Sequence, residues 1–338
     1  MKLYCGIDLH SNNSVIVILD EADKVIYQKK LANDLDLILQ QLLVYINDIV
    51  AIAIESTFNW YWLVDGLKEA GYEVKLVNTA AVQTYSGLKH TDDKDDARWL
   101  AHLLRLGILP TGYIYPKEER AVRDLLRKRS QLVRQSTTNI LSGQNILTRN
   151  TAHSLSASKL KKINDEEIDK LLDDPNIALA LKSNINIIKS LQTNIAEIEQ
   201  AVVSQVKLRP EYKQLLSVSG IGQALGLTIM LETGEISRFN KVGNYSSYCR
   251  CVKSERLSNG KKKGENNRKN GNKYLAWAFI EAANFAIRYN DKIKAFYQKK
   301  KAKTNGIIAT KAVANKLARA CYHIMKDQVP FDVNKAFI

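Results

Sequence analysis

A chain of 338 residues with 45% hydrophobic and 25% charged side chains has room for about two globular domains. It has no run near the roughly 18 apolar residues of a membrane span and no signal-peptide pattern in "MKLYCGIDLHSNN", and its four cysteines are too scattered for a disulfide framework, so a reducing, cytoplasmic setting is expected. Fifty Lys+Arg against 35 Asp+Glu leave a net charge of +15, which points to a polyanionic partner, nucleic acid ahead of an anionic membrane surface.

In chain order, "LYCGIDL" (3–9), "SVIVILDE" (14–21) and "KVIYQKK" (24–30) are short apolar or β-branched runs separated by the polar turns "HSNN" and "AD". That is the pattern of a three-stranded antiparallel meander. Helical spacing follows in "LDLILQQLLVYI" (35–46), then a buried-strand run "VAIAIE" (50–55). A helix around 58–70, a strand "YEVKLVN" (72–78) and helices from about 79 to 106 complete this part. Three antiparallel strands followed by alternating strands and helices give the order of a ribonuclease H-like (RuvC-like) α/β domain, expected over residues 1–115. The doubly wound nucleotide-binding fold begins strand–helix–strand instead.

From 116 to 207 the pattern is helical. Two long stretches without proline, 118–147 and 176–206, carry Leu, Val and Ile at helical spacing, and the polar, serine-rich segment near 150–158 reads as the turn between them. An antiparallel coiled coil or helical arm is predicted. Residues 208–338 read as a compact, mostly helical domain. Its "SGIG" (219–222) resembles the hairpin of a helix-hairpin-helix, where Gly220 and Gly222 would let backbone N–H groups approach a phosphate; an ordinary helix–helix turn is the plainer alternative. Downstream, "KKKGENNRKNGNK" (261–273) holds six basic side chains and one acid, and "QKKKAK" follows at 298–303. A charge run is usually solvated surface, but this one gathers the positive excess in the last third of the chain. Arg250, Lys261, Lys262, Lys263, Arg268, Lys269, Asn272 and Lys273 are the candidate nucleic-acid contacts.

In so basic a chain, "KHTDDKDDARWLA" (89–101) is anomalous, because four aspartates fall within five positions before an apolar run. If a helix over 93–106 buries Ala97, Leu100, Ala101 and Leu104, then Asp93 and Asp96 share its sheet-facing stripe one turn earlier. Asp92 and Asp95 align instead with Trp99 and Leu103, nearer the rim. Complementing a helix N-terminus needs fewer acids than four, which favours Asp93 and Asp96 as metal ligands. The doubling leaves a one-residue register alternative in Asp92 and Asp95. Asp8 is the acid of the first strand, and Glu55 closes "VAIAI" at the mouth of a strand expected to be buried on both faces. Singly, Asp8 reads as a turn former and Glu55 as a helix-start charge with Ser56 or Thr57 as the cap. Together, carboxylates from a first strand, a neighbouring strand and a later helix are the ligand set of a ribonuclease H-like Mg²⁺ site. His10 and His90 fall nearby as loop residues.

With these residues in place, the chain resembles the DEDD-type insertion-sequence transposases that carry a RuvC-like N-terminal domain, over nearly its whole length. "GID" (6–8), "IESTFNWYW" (54–62) and "TDDKDDARWLAHLLRLGIL" (91–109) match the N-terminal blocks of that family. "SGIG", "GEISRF" (234–239) and "LSNGKKKGENNRKNGNKYL" (257–275) match its C-terminal block. The resemblance implies Asp8, Glu55, Asp93 and Asp96 as the tetrad, holding Mg²⁺ or Mn²⁺, and Ser258 as a nucleophile in a transient phosphoserine. The family often has glycine where this chain has Asn259; from the residues alone, Ser258 is an ordinary loop serine. The resemblance further implies double-stranded donor and target DNA, a structured noncoding guide RNA that pairs with both, and a homo-oligomer (dimer or tetramer) joined through the helical arm.

Three other readings compete. A RuvC-like, structure-selective junction endonuclease would use water as its nucleophile. A sugar kinase or actin-like ATPase shares the "GID" strand but wants glycine or threonine soon after it, where this chain has "LHSNNS". A non-catalytic DNA-binding module, with the carboxylates as helix caps, predicts no metal-dependent cleavage.

Overall fold

The computed structural model describes residues 1–82, 93–206, 209–252, 255–265 and 270–337. By their contacts they divide into two compact units, Met1–Lys117 with Ser254–Asn270, and Glu118–Lys253 with Gly271–Ile338.

In the first unit, β1 (Leu3–Leu9), β2 (Asn13–Leu19) and β3 (Val25–Ala32) form the antiparallel meander. After α1 (Leu35–Leu43), β4 (Ile49–Glu55) pairs parallel to β1 on its free side; after α2 (Tyr61–Glu69), β5 (Val74–Val77) pairs parallel to β4. The order β3-β2-β1-β4-β5 is a mixed five-stranded sheet of ribonuclease H-like arrangement. Side chains of the turns set the element ends. Asp20 accepts the backbone N–H groups of Ala22 and Lys24, both at 2.9 Å, and Asp34 caps α1 through Leu37 N at 3.0 Å.

Strand alternation gives the sheet two apolar faces. One packs Ile7, Ile52 and Ile54 with Ile38, Leu42, Leu63 and Leu67 of α1 and α2. The other packs Val15, Val17, Ala53 and Val77 with Ala97, Leu100 and Ala101 of α4 (Asp93–Arg105), which follows the short α3 (Thr79–Val82). Each fully buried Leu, Ile or Val stabilises the fold by roughly 1.5–3 kcal/mol. Gly6 allows α4 its close approach, since a Cβ there would collide with Ala97 O and lie 2.7 Å from Ala101 N.

The hairpin β6 (Glu255–Ser258) and β7 (Lys261–Glu265) groups with this first unit. A loop was the expectation there, inside a helical domain. Asn259 and Gly260, with φ of 48° and 71°, supply the two positive dihedrals of a type I′ turn, so "NG" makes the hairpin.

The second unit is helical. The long helices α5 (Lys117–Thr151) and α8 (Pro175–Gln205) are linked through α6 (Ala157–Leu160) and α7 (Asp165–Leu171). Two contacts fix them as antiparallel, Arg129 Nε to Glu199 Oε1 at 2.6 Å and Asn184 Nδ2 to Ser142 Oγ at 3.1 Å. Asp174 caps α8, with Pro175 at its first position. The remaining helices are α9 (Tyr212–Leu216), α10 (Gln223–Thr233), α11 (Val242–Tyr248), α12 (Lys273–Tyr289), α13 (Asp291–Lys303), α14 (Gly306–Asp327) and α15 (Val333–Ala336). Their core includes Tyr245, Phe279 and Leu317. All four cysteines are buried and unbridged, and burial raises the Cys251 thiol to about 12, so these are packing residues. Among the described residues, no helix is long and apolar enough to cross a membrane.

Candidate active site

Asp8 lies one residue from the end of β1 and is only 2% exposed. The parallel register sets Ile7 beside Ile54, so Asp8 and Glu55 follow as neighbours at the C-terminal ends of two adjacent strands. Ile7 and Ile54 face α1 and α2. Alternation therefore turns Asp8 and Glu55 to the other face, with Gly6 and Ala53, which α4 covers. The carboxyl ends of parallel strands are where open α/β sheets bind their ligands.

The direction of α4 brings its first turn to the same edge. Toward its C-terminal end, His102 Nδ1 and Arg105 Nε lie 2.7 and 3.1 Å from Asp23 Oδ1. Asp23 belongs to the β2–β3 turn, beside the start of β1, since Leu19 pairs with Tyr4. The opposite end of α4 consequently lies toward Asp8. Asp95 and Asp96 are both half-buried there. The buried stripe is wider than its spacing predicts: Leu103, expected nearer the rim, is 1% exposed, while Leu104 is half-buried. Leu103 lies seven and eight residues on from Asp96 and Asp95 and does not choose between them; Leu100, packed against Ala53 and Val77, lies one turn on from Asp96 and turns it toward the sheet. Asp93 opens the helix, but its side chain, like all of Asp92 and His90, lies outside the described residues.

Asn59 is the residue of this edge that sequence reasoning missed, and His10, expected nearby as a loop residue, stands against its buried acid. His10 Nε2 lies 3.3 Å from Asp8 Oδ2. The side-chain amides of Asn33 and Asn59 both donate to His10 O, at 3.0 and 2.9 Å, and pin the turn that follows Asp8. Thr57 Oγ1 donates to Asn59 Oδ1 at 2.9 Å. Neither Ser56 nor Thr57 caps α2, which starts at Tyr61 without a side-chain cap; Thr57 and Asn59 fasten the preceding turn instead. The available signals were the "DLH" spacing and a turn asparagine four positions after Glu55.

The donors suit a hard divalent cation in kind, being carboxylate oxygens with one of them deeply buried. Among the described residues, no three metal-ligating side chains form a group able to hold an ion by themselves.

The candidate nucleic-acid residues divide by their contacts. Ser258 ends β6 opposite Lys261, and Ser258, Lys261 and Lys263 are exposed; the Lys262 side chain, Arg268 and Lys269 lie outside the described residues. Gly220, with φ of 90°, packs under α12, where a Cβ would collide with Ala282 O and lie 2.7 Å from Ala286 N. Gly222 opens α10 with clear space around it. The Arg250 guanidinium donates to Gly271 O from Nε and from a terminal nitrogen, at 3.2 and 2.9 Å. Asn272 is buried; its side chain caps α12 through Tyr274 N at 2.8 Å and donates to Glu232 Oε2 at 2.7 Å. Lys273 is exposed. Within the 298–303 charge run, Lys299, Lys300 and Lys303 join Lys292, Phe296 and Phe337 around a cavity of about 570 Å³ at α13 and α15.

Two family models match the chain. One, of the IS110-type DEDD transposases and described as a transposase, covers residues 5–151. The other, described as the transposase IS116/IS110/IS902 family, covers residues 212–298. No curated protein shows a significant match. The first model spans β1 to the end of α5 and so contains the whole carboxylate edge; the second contains the hairpin with Ser258. With both blocks present in order over more than half of its length, the chain belongs to the IS110-type DEDD transposases, and its activity is that of a DNA transposase or recombinase.

Proposed function

We propose that the chain carries out metal-dependent cleavage and exchange of DNA strands with Ser258 as its nucleophile, in an oligomer guided by a structured noncoding RNA. The observation that carries this reading is the register of β1 and β4, which sets Asp8 beside Glu55 at the sheet edge toward which α4 brings Asp96. Asp8, Glu55, Asp93 and Asp96 would hold Mg²⁺ or Mn²⁺. The ion, when bound, would neutralise charge on the scissile phosphate and polarise it.

The residues of the chain supply the rest. Ser258 stands exposed on a tight hairpin that groups with the carboxylate unit, and Lys261 and Lys263 beside it answer the DNA backbone charge. Its Oγ attacks phosphorus, a Ser258 Oγ–P bond forms, and the phosphorus–oxygen bond to the leaving sugar breaks. The serine proton is released and the leaving oxygen takes one up as a hydroxyl. A hydroxyl from a different DNA end reverses these steps, rejoining the strands without net hydrolysis. The antiparallel pair α5 and α8 supports a coiled-coil arm for self-association, and Gly222 keeps the helix-hairpin-helix reading of "SGIG" open to a phosphate.

The test is Ser258→Ala. It should abolish both strand cleavage and a denaturation-resistant protein–DNA adduct that the wild type forms. Normal cutting by the variant, with no adduct in the wild type, would replace this reading with the water-using nuclease. Purification with and without ribonuclease tests the guide RNA, which should co-purify and be required for target choice.

A further inference from the structure

Four aromatic rings follow Glu55 in "TFNWYW" (57–62). Three pack inward: Trp60 is 8% exposed, and Tyr61 and Trp62 lie against the cluster that contains Ile7 and Ile54. Phe58 does the reverse. At 84% it is the most exposed large apolar side chain among the described residues. A single exposed apolar residue is ordinary and by itself says little. The turn that carries Phe58 is what sets it apart.

That turn is fastened on both sides of the ring. Thr57 N–H donates to Glu55 O at 2.9 Å, Thr57 Oγ1 donates to Asn59 Oδ1 at 2.9 Å, and Asn59 Nδ2 donates to His10 O at 2.9 Å. His10 stands two residues past Asp8, and Phe58 stands three past Glu55, which is about 10 Å of chain at full extension. A flat apolar ring is thus held out at the sheet edge that bears both carboxylates. Lysines and arginines answer phosphates; the component of nucleic acid that an aromatic ring answers is the face of an unstacked base.

With the phosphodiester site at Asp8 and Glu55 as proposed above, we propose that Phe58 is a base-stacking residue of that site. Its ring takes the face of the DNA base next to the phosphodiester held at the carboxylates, unstacked from its neighbour. The stacked base sets which phosphate along the strand reaches Asp8.

A binding cycle tests this without requiring cleavage. In an Asp8→Asn background, affinity for DNA is measured with Phe58 and with Phe58→Ala, while a single abasic sugar is moved along the bound strand. On intact DNA, Phe58→Ala should bind roughly ten-fold more weakly. With the abasic sugar at one position, the two proteins should bind alike, because the ring has lost its partner. Phe58→Trp should restore affinity on intact DNA, and the thermal midpoint should not move, since the side chain is exposed. Equal affinities on intact DNA would overturn the assignment, as would a ratio that no abasic position removes. The carboxylate reading fails separately, if Asp8→Asn with Phe58 intact still cleaves.

Discussion

Asp8 in the first unit and Glu232 in the second are each only 2% exposed, yet the two carboxylates are held in opposite ways. Glu232, on α10, receives the Arg127 guanidinium as a fork at 2.6 and 2.8 Å and the Asn272 amide at 2.7 Å. The Tyr274 ring lies 4.5 Å from that guanidinium and completes the enclosure. Asp8 has instead the imidazole of His10 at 3.3 Å, a counter-charge present only when the ring is protonated. It shares its edge with Glu55 and the first turn of α4, so carboxylates gather there. A buried acid closed by a guanidinium fork serves the fold. A buried acid gathered with further acids suits a cation that arrives from outside.

Substitutions at the two acids should therefore separate activity from stability. Asp8→Asn should lower single-turnover DNA cleavage on the order of 10³-fold while leaving the thermal midpoint near wild type. Glu232→Gln should do the converse. It leaves Arg127 half-enclosed without its carboxylate and should cost about 3–5 kcal/mol in denaturant unfolding, with loss of activity only in proportion to unfolded protein. A large stability loss from the first, or a folded but inactive second, would break the contrast. Gly6→Ala sharpens it by moving α4 from the sheet without touching an acid. About 3 kcal/mol of destabilisation is expected, with reduced cleavage in the fraction that remains folded.

The smallest effect concerns the far end of α4. Burial alone would raise the Asp23 carboxyl, but the His102 and Arg105 contacts outweigh it and hold this group below its ordinary value. A depressed folded value stabilises fully above the unfolded value of about 3.9 and is lost as pH falls through the lower folded one. The unfolding free-energy gap between wild type and Asp23→Asn should be no more than about 1 kcal/mol near neutrality. It should close in acid below about pH 4. A gap that widens in acid would reverse the sign and remove Asp23 as the anchor of that helix end.

The carboxylate edge was largely legible because its parts are local. The meander, the run ending in Glu55 and the stripe through Ala97, Leu100 and Ala101 each announce themselves within a few residues. The hairpin reads as a loop in the sequence: Asn259-Gly260 carries its turn signal, but the surrounding lysines and asparagines look like solvated loop and mask it. Other features could not be read locally. Arg127, Glu232 and Asn272 are separated by 105 and 40 positions, so no spacing rule joins them. The start of α2 depended on Asn59 reaching His10, 49 positions away, which outweighed local capping by Ser56 or Thr57.

The placement of the hairpin has a consequence in time. The sheet and α4 are complete in the chain by Arg105, and the rest of the second unit's first segment, Glu118–Lys253, must be synthesised before Ser258 emerges. At about 5–20 residues per second, the interval is on the order of ten seconds. A nascent chain folding in order would thus possess the carboxylate edge well before the serine proposed to attack there. Chain order alone would keep each new molecule from cutting DNA through Ser258 until the second unit's first segment has been made.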